Sequence, residues 1–134
     1  MPLLPTPSDD ELRAVLEAGY VLRDVMRYDE AATVFQGVAA LRPDLELPCL
    51  ALASVFIRQG ELERAQELCE SVLARRPDSL HAQTQRGEIL LYRGARAEGE
   101  EALRAVVAQG GDSPHAATAR ALLDASAALA DAEP

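Results

Sequence analysis

The sequence predicts an all-α protein, a solenoid of three antiparallel helical hairpins followed by a seventh, capping helix. Hydrophobic residues make up 49% of the 134-residue chain but aromatics only 4%. The interior is therefore built from Ala, Leu and Val, which suits close-packed helices better than strands. Arg-Pro-Asp occurs at 42–44 and again at 76–78, so that Pro43 and Pro77 stand 34 residues apart, an interval typical of stacked helical hairpins. In that register Ala18-Gly19 falls over Leu52-Ala53 and Arg86-Gly87, and Ala31 over Ala65 and Gly99. Small residues belong where the two helices of a hairpin approach closely.

The elements follow in order. Residues 1–8 read as an extended or disordered segment, and Ser8-Asp9-Asp10-Glu11 as a capping box that starts the first helix near Asp9. One domain spans 9–130, with units at about 12–45, 46–79 and 80–113. Gly60 and Gly94 occupy the turn inside the second and third hairpins, where a positive φ is often needed, and Met26 holds that place in the first. Phe35, Cys69 and Leu103 share one column, and Val38, Val72 and Val106 another, on the helix that plugs each hairpin. The third unit departs from the others, with Gly99 in place of Ala and Gly111 where proline would stand. An interior Gly costs about 0.5–1 kcal/mol relative to Ala, so its second helix is expected to be the least stable. Asp112 or Ser113 caps a last helix over 114–130, with Pro114 in its first turn and 131–134 as a tail. Ala117, Ala121, Leu122, Ala125 and Leu129 recur at helical spacing as the stripe that would cover the open end of the solenoid.

Charge and composition exclude several functions. All 13 basic residues are arginine, against 22 carboxylates, giving a net charge of −9. A phosphate backbone is repelled by such a chain, so nucleic acid is not expected as a ligand. Ala and Arg richness without Lys is the usage of a GC-rich bacterial genome. The opening MPLLPTPSDD has no basic start and is broken by three prolines; it reads as neither a secretory signal nor a membrane span, and a cytoplasmic location without membrane insertion is expected. Cys49 and Cys69 then lie in a reducing compartment and read as small core residues.

No residue set suggests catalysis. There is no nucleophile beside a base, no Gly-rich phosphate loop, no GxSxG elbow and no pair of metal-ligand dipeptides. His81 and His115 read as isolated from one another and from the cysteines. The chain is expected to be no enzyme and to need no cofactor or metal. Glu98, Glu100 and Glu101 read as a solvated helix face.

The stretches AGYVLRDVMRYDEAATVFQGVAALRP and LALASVFIRQGELERAQELCESVLARRP resemble the tetratricopeptide repeat (TPR) family at its small, aromatic and proline positions. The resemblance covers residue 12 to about 113 and implies a right-handed superhelix that binds protein or peptide. Stacked hairpins align their first helices along one concave surface. In this register that surface receives Leu16, Tyr20 and Arg23, then Leu47, Leu50, Ser54 and Ile57, then His81, Thr84, Glu88, Leu91 and Tyr92. A groove of this composition, flanked by Arg13, Arg23 and Arg58, suits a mostly hydrophobic peptide, with Tyr20 and Leu50 as expected anchors. TPR domains that hold the acidic C-termini of heat-shock chaperones use a clamp of lysines, asparagines and an arginine. The corresponding sites here hold Leu16, Tyr20, Ala51, His81 and Gln85, which disfavours that ligand.

In plan the chain is similar to the TPR-class chaperones of bacterial type III secretion, which hold a translocator or needle-type subunit until export. That likeness implies a secretion-system subunit or exported protein as partner. The other reading is a generic TPR adaptor in another bacterial complex. Members that hold translocators commonly carry an extra N-terminal helix for dimerisation, whereas 11 residues precede the first unit here. A monomer or a weak homodimer is therefore expected.

Overall fold

The computed structural model describes residues 6–132, and among these the regular elements are all helical. They are α1 (Asp9–Asp24), α2 (Tyr28–Leu41), α3 (Leu47–Gln59), α4 (Leu62–Arg75), α5 (Leu80–Tyr92), α6 (Arg96–Gly110) and α7 (Pro114–Ala132). The chain ahead of residue 6, which holds most of the segment read as extended, lies outside the described residues.

Helix starts follow local chemistry. The amide of Glu11 donates to Ser8 Oγ at 3.1 Å and the amide of Ser8 to Glu11 Oε1 at 3.4 Å, completing the capping box. Ser79 Oγ accepts from the Ala82 amide, and Ser113 Oγ from the Ala116 amide, each at 3.1 Å. Ser113, not Asp112, is thus the cap of α7.

Each hairpin turn is the same device. Met26, Gly60 and Gly94 have φ of 65°, 78° and 84°, and the following amides reach back to Leu22, Phe56 and Leu90 carbonyls at 2.8, 2.8 and 2.9 Å. This is the left-handed helix ending that favours Gly. Met26 adopts it at a cost of about 1–2 kcal/mol for a side-chain-bearing residue.

The recurrence of Arg-Pro-Asp has a structural cause. Arg42 and Arg76, each preceding a proline, are held extended at φ −133° and −134°, because the proline ring disfavours helical backbone before it. Arg42 then grips Asp44 in a bidentate pair at 3.0 and 2.9 Å and reaches Asp9 at 3.0 Å. The guanidinium holds the exposed Asp44 carboxyl below the usual carboxylate range. One unit on, Arg75 donates to the Pro43 carbonyl at 2.8 Å and Arg76 to the Asp44 carbonyl at 2.7 Å. Arginines of each turn therefore tie it to the segment one unit before.

Helices adjacent in sequence pack in series from α1 to α7, and α1 touches α3, α3 touches α5 and α5 touches α7, whereas α2, α4 and α6 do not touch one another. Odd-numbered helices crowd together on the inner side of the curve, and even-numbered ones fan out on the outer side. Inside each hairpin the crossing is filled by size. A Cβ on Gly19 would sit 2.5 Å from Phe35 Cε1, and one on Gly87 2.7 Å from Leu103 Cγ and Cδ2. In the second hairpin the same two columns hold Ala53 and the smaller Cys69, both fully buried. Gly99 permits backbone contact, since its Cβ would lie 3.1 Å from the Gly87 carbonyl oxygen. Glycine there lets the α5 and α6 backbones approach closely.

The far end is closed by α7, with a phase different from the expected stripe. Ala116, Ala119 and Ser126 are buried, and Leu122 and Leu123 pack against Leu103 and Val106. Ala117, Ala121, Ala125 and Leu129 are exposed. In so alanine-rich a helix several faces look alike, and burial follows the few larger side chains. Glu100 is no solvated residue either: its carboxylate takes Arg96 at 2.6 Å, Arg104 at 2.9 Å and the α7 hydroxyl of Ser126 at 2.9 Å, which docks α7.

Candidate functional site: the inner face

Side chains of α1, α3, α5 and α7 meet along the inner face through contacts one unit apart. Arg23 Nη1 donates to Ser54 Oγ at 3.0 Å, Asp24 forms ion pairs with Arg58 of the next unit at 3.2 Å and with its neighbour Arg23 at 3.0 Å, and the His81 and His115 rings, expected to be isolated, stack at 4.9 Å. Arg23 also lies 5.0 Å over the Tyr20 ring, which tilts against Phe35.

The twelve residues assigned to the groove fall into three groups. Tyr20, Arg23, Ser54, Ile57, His81, Glu88 and Leu91 are half-buried on the inner face. Leu47 and Tyr92 are exposed there, at 39% and 57%. Leu16, Leu50 and Thr84 instead belong to the core, at 7%, 0% and 5% exposure. They form a single column, one per unit, which wedges between neighbouring inner helices. Thr84 spends its hydroxyl on the Leu80 carbonyl at 2.6 Å. Leu50 is consequently no anchor for a ligand, and truncating it would open a cavity.

The expected flanking arginines also differ in availability. Arg13 is exposed beside Asp10 at 3.6 Å, while Arg23 is largely covered and engaged with Ser54 and Asp24. At the sites of an acidic-peptide clamp, Gln85 is buried and its amide donates to the Leu50 carbonyl at 2.9 Å. It is committed to holding α5 on α3.

Titration follows burial. Desolvation pushes Cys69 up to about 12, so the thiol is inert, and it donates to the Ala82 carbonyl at 3.0 Å. Desolvation lowers His81, with His115 adding to the effect and Glu46 opposing it. Glu88 is raised by burial, against a hydrogen bond from Tyr92 and the attraction of Arg58.

The sequence reading missed the wall that α7 adds. One further step of 34 residues carries His81 to His115, Glu88 to Leu122 and Tyr92 to Ser126, and Leu122 and Ser126 do line an inner cleft. That cleft, about 410 Å³, is formed by Leu91 and Tyr92 of α5, Arg96 of α6, and Leu122, Ala125 and Leu129 of α7 among others. The repeat period was the available signal. Among the described residues no cluster of His, Cys, Asp and Glu could hold a metal, and no helix is long and apolar enough to cross a membrane.

A sequence model of the tetratricopeptide repeat matches residues 22–84 and 56–123. The chain belongs to the tetratricopeptide repeat family. No curated protein matches it in sequence. Among solved structures it is similar to the type III secretion translocator chaperone SycD of Yersinia enterocolitica, with a TM-score of 0.77, 20% identity, and coverage of 88% of this chain and 91% of that one. PcrH of Pseudomonas aeruginosa gives 0.76 at 21% identity, covering 95% and 99%. The Sgt2 TPR domain of Aspergillus fumigatus gives 0.76 at 16%, covering 100% and 91%. SycD has been solved with a peptide of the translocator YopD, and PcrH with the chaperone binding regions of PopD and PopB. Likeness at this identity establishes the shared solenoid.

Proposed function

We propose that the chain is a non-catalytic, cytoplasmic TPR chaperone of bacterial type III secretion that holds an extended, mainly apolar segment of an exported or apparatus subunit along its inner face. The observation that carries this reading is the inner face itself. There Tyr20, Ile57, Leu91 and Leu122 are half-buried but not covered, beside exposed Leu47 and Tyr92. A row of apolar side chains with a polar border is the surface an extended peptide recognises. The fold shared with SycD and PcrH, both solved with translocator segments, supports the same assignment. The comparable likeness to the Sgt2 domain supports a second reading, an adaptor that links folded proteins.

Co-expression separates the two. A hydrophobic secretion subunit encoded beside this chain would be produced alone, with the wild type, and with Leu47→Glu/Tyr92→Ala, both sites being exposed. The chaperone reading expects soluble subunit only with the wild type. A partner that is soluble alone and retained by the variant would establish the adaptor.

A further inference from the structure

The carboxylates and guanidiniums of the inner face do not pair evenly. Asp24 takes two arginines, Arg23 and Arg58, at 3.0 and 3.2 Å. Arg23 is further occupied by Ser54 and the Tyr20 ring. Glu88, half-buried one helix further on, has the Tyr92 hydroxyl and the attraction of Arg58, but no ion pair within 4.0 Å among the described residues. One helical turn on, Leu91 and Tyr92 open onto the apolar cleft walled by α7.

Building on the chaperone reading, we propose that the third unit and α7 form a composite subsite for a basic-apolar pair in the bound segment, an apolar side chain entering the α5–α7 cleft and a neighbouring Arg or Lys pairing with Glu88. Volume sets the first half. About 410 Å³ accommodates a Leu- or Phe-sized side chain, with Leu91, Leu122, Ala125 and Leu129 supplying apolar contact beside the polar groups of Tyr92, Arg96 and Ser126. Charge sets the second half. A half-buried carboxylate without a cation is relieved by one supplied from the ligand, and the net charge of −9 draws a basic segment toward the protein. In an extended segment alternate side chains share a face about 6.6 Å apart, so both groups can point into the inner face from positions separated by a single residue. Burial raises Glu88, and a cation brought by the ligand would oppose that shift.

The test begins with selection of random dodecapeptides displayed on phage by the full-length protein. Peptides carrying Arg would then be synthesised alongside versions with citrulline, the neutral isostere, and titrated by fluorescence anisotropy. Wild type is expected to favour Arg by about tenfold, with the preference shrinking as salt is raised. Glu88→Gln, an isosteric change checked for intact helicity by circular dichroism, should bind both forms equally. Leu129→Ala, at a site 69% exposed, removes apolar contact without changing charge and should weaken both forms alike. Equal binding of Arg and citrulline peptides by the wild type, or an Arg preference that survives Glu88→Gln, would overturn the subsite while leaving the apolar groove standing. Failure to enrich any peptide would overturn the groove reading itself.

Discussion

The hairpin crossings and the inner face obey opposite rules. At the crossings, chemistry repeats and only size is exchanged: Gly19 faces Phe35, Ala53 accompanies Cys69, and Gly87 faces Leu103, so that a larger plug always accompanies the smaller partner. On the inner face, apart from His81 and His115, the columns change chemistry from unit to unit. One column reads Tyr20, Ser54, Glu88, Leu122, and another reads Asp24, Arg58, Tyr92, Ser126. Each crossing serves the same purpose of packing two helices, whereas in the proposed function each inner position would meet a different part of the bound segment. On that proposal, stability resides in the repeated columns and binding choice in the varied ones.

The largest expected effect removes a plug. Phe35→Ala should cost about 3–5 kcal/mol in urea unfolding, because Phe35 is fully buried and Gly19 offers nothing to fill the void. A smaller loss, about 1–3 kcal/mol, is expected for Gly87→Ala, whose new Cβ meets Leu103 at 2.7 Å. Adding Leu103→Cys reproduces the second hairpin's solution and should recover part of that loss in a double-mutant cycle. Strict additivity of the two changes would mean that the columns are not coupled by size. Met26→Gly should stabilise by up to about 1 kcal/mol by relieving the positive φ, read as a higher midpoint in the same assay. The inner-face counterpart, Tyr92→Ala, should change stability by less than about 0.5 kcal/mol while weakening partner binding by about 1 kcal/mol or more. A large stability loss there would erase the contrast.

A pH scan sharpens the comparison at the α5–α7 junction. His81 titrates lower in the folded chain than its ordinary 6.5 because burial and His115 disfavour its cation, with Glu46 in partial opposition. The unfolded chain therefore binds the proton first. Stability should be full above that value and decline as pH falls below it, and His81→Gln should flatten this part of the profile.

Much of this architecture was legible because it is written more than once. The interval between Pro43 and Pro77, the turn positions of Met26, Gly60 and Gly94, and the cap at Ser8 are local signals whose meaning does not depend on distant packing. The inner face was legible only in outline, since helical spacing says which side a residue faces but not how far a neighbouring helix covers it. That is why helical spacing puts Leu16, Leu50 and Thr84 in the groove although α1, α3 and α5 close over them. The phase of α7 was lost for a related reason, its alanines giving no face an advantage until Leu103 and Val106 are in position.

The central claim is that a partner segment lies along the inner face, and photo-crosslinking in the native host addresses it most directly. Benzoylphenylalanine would be installed at Tyr92 on the inner face and, in a second strain, at Glu67, exposed on outer helix α4. A light-dependent adduct with an exported or secretion-apparatus subunit is expected from the Tyr92 site and none from the Glu67 site. An adduct from Glu67 alone would contradict it, placing the partner on the outer surface.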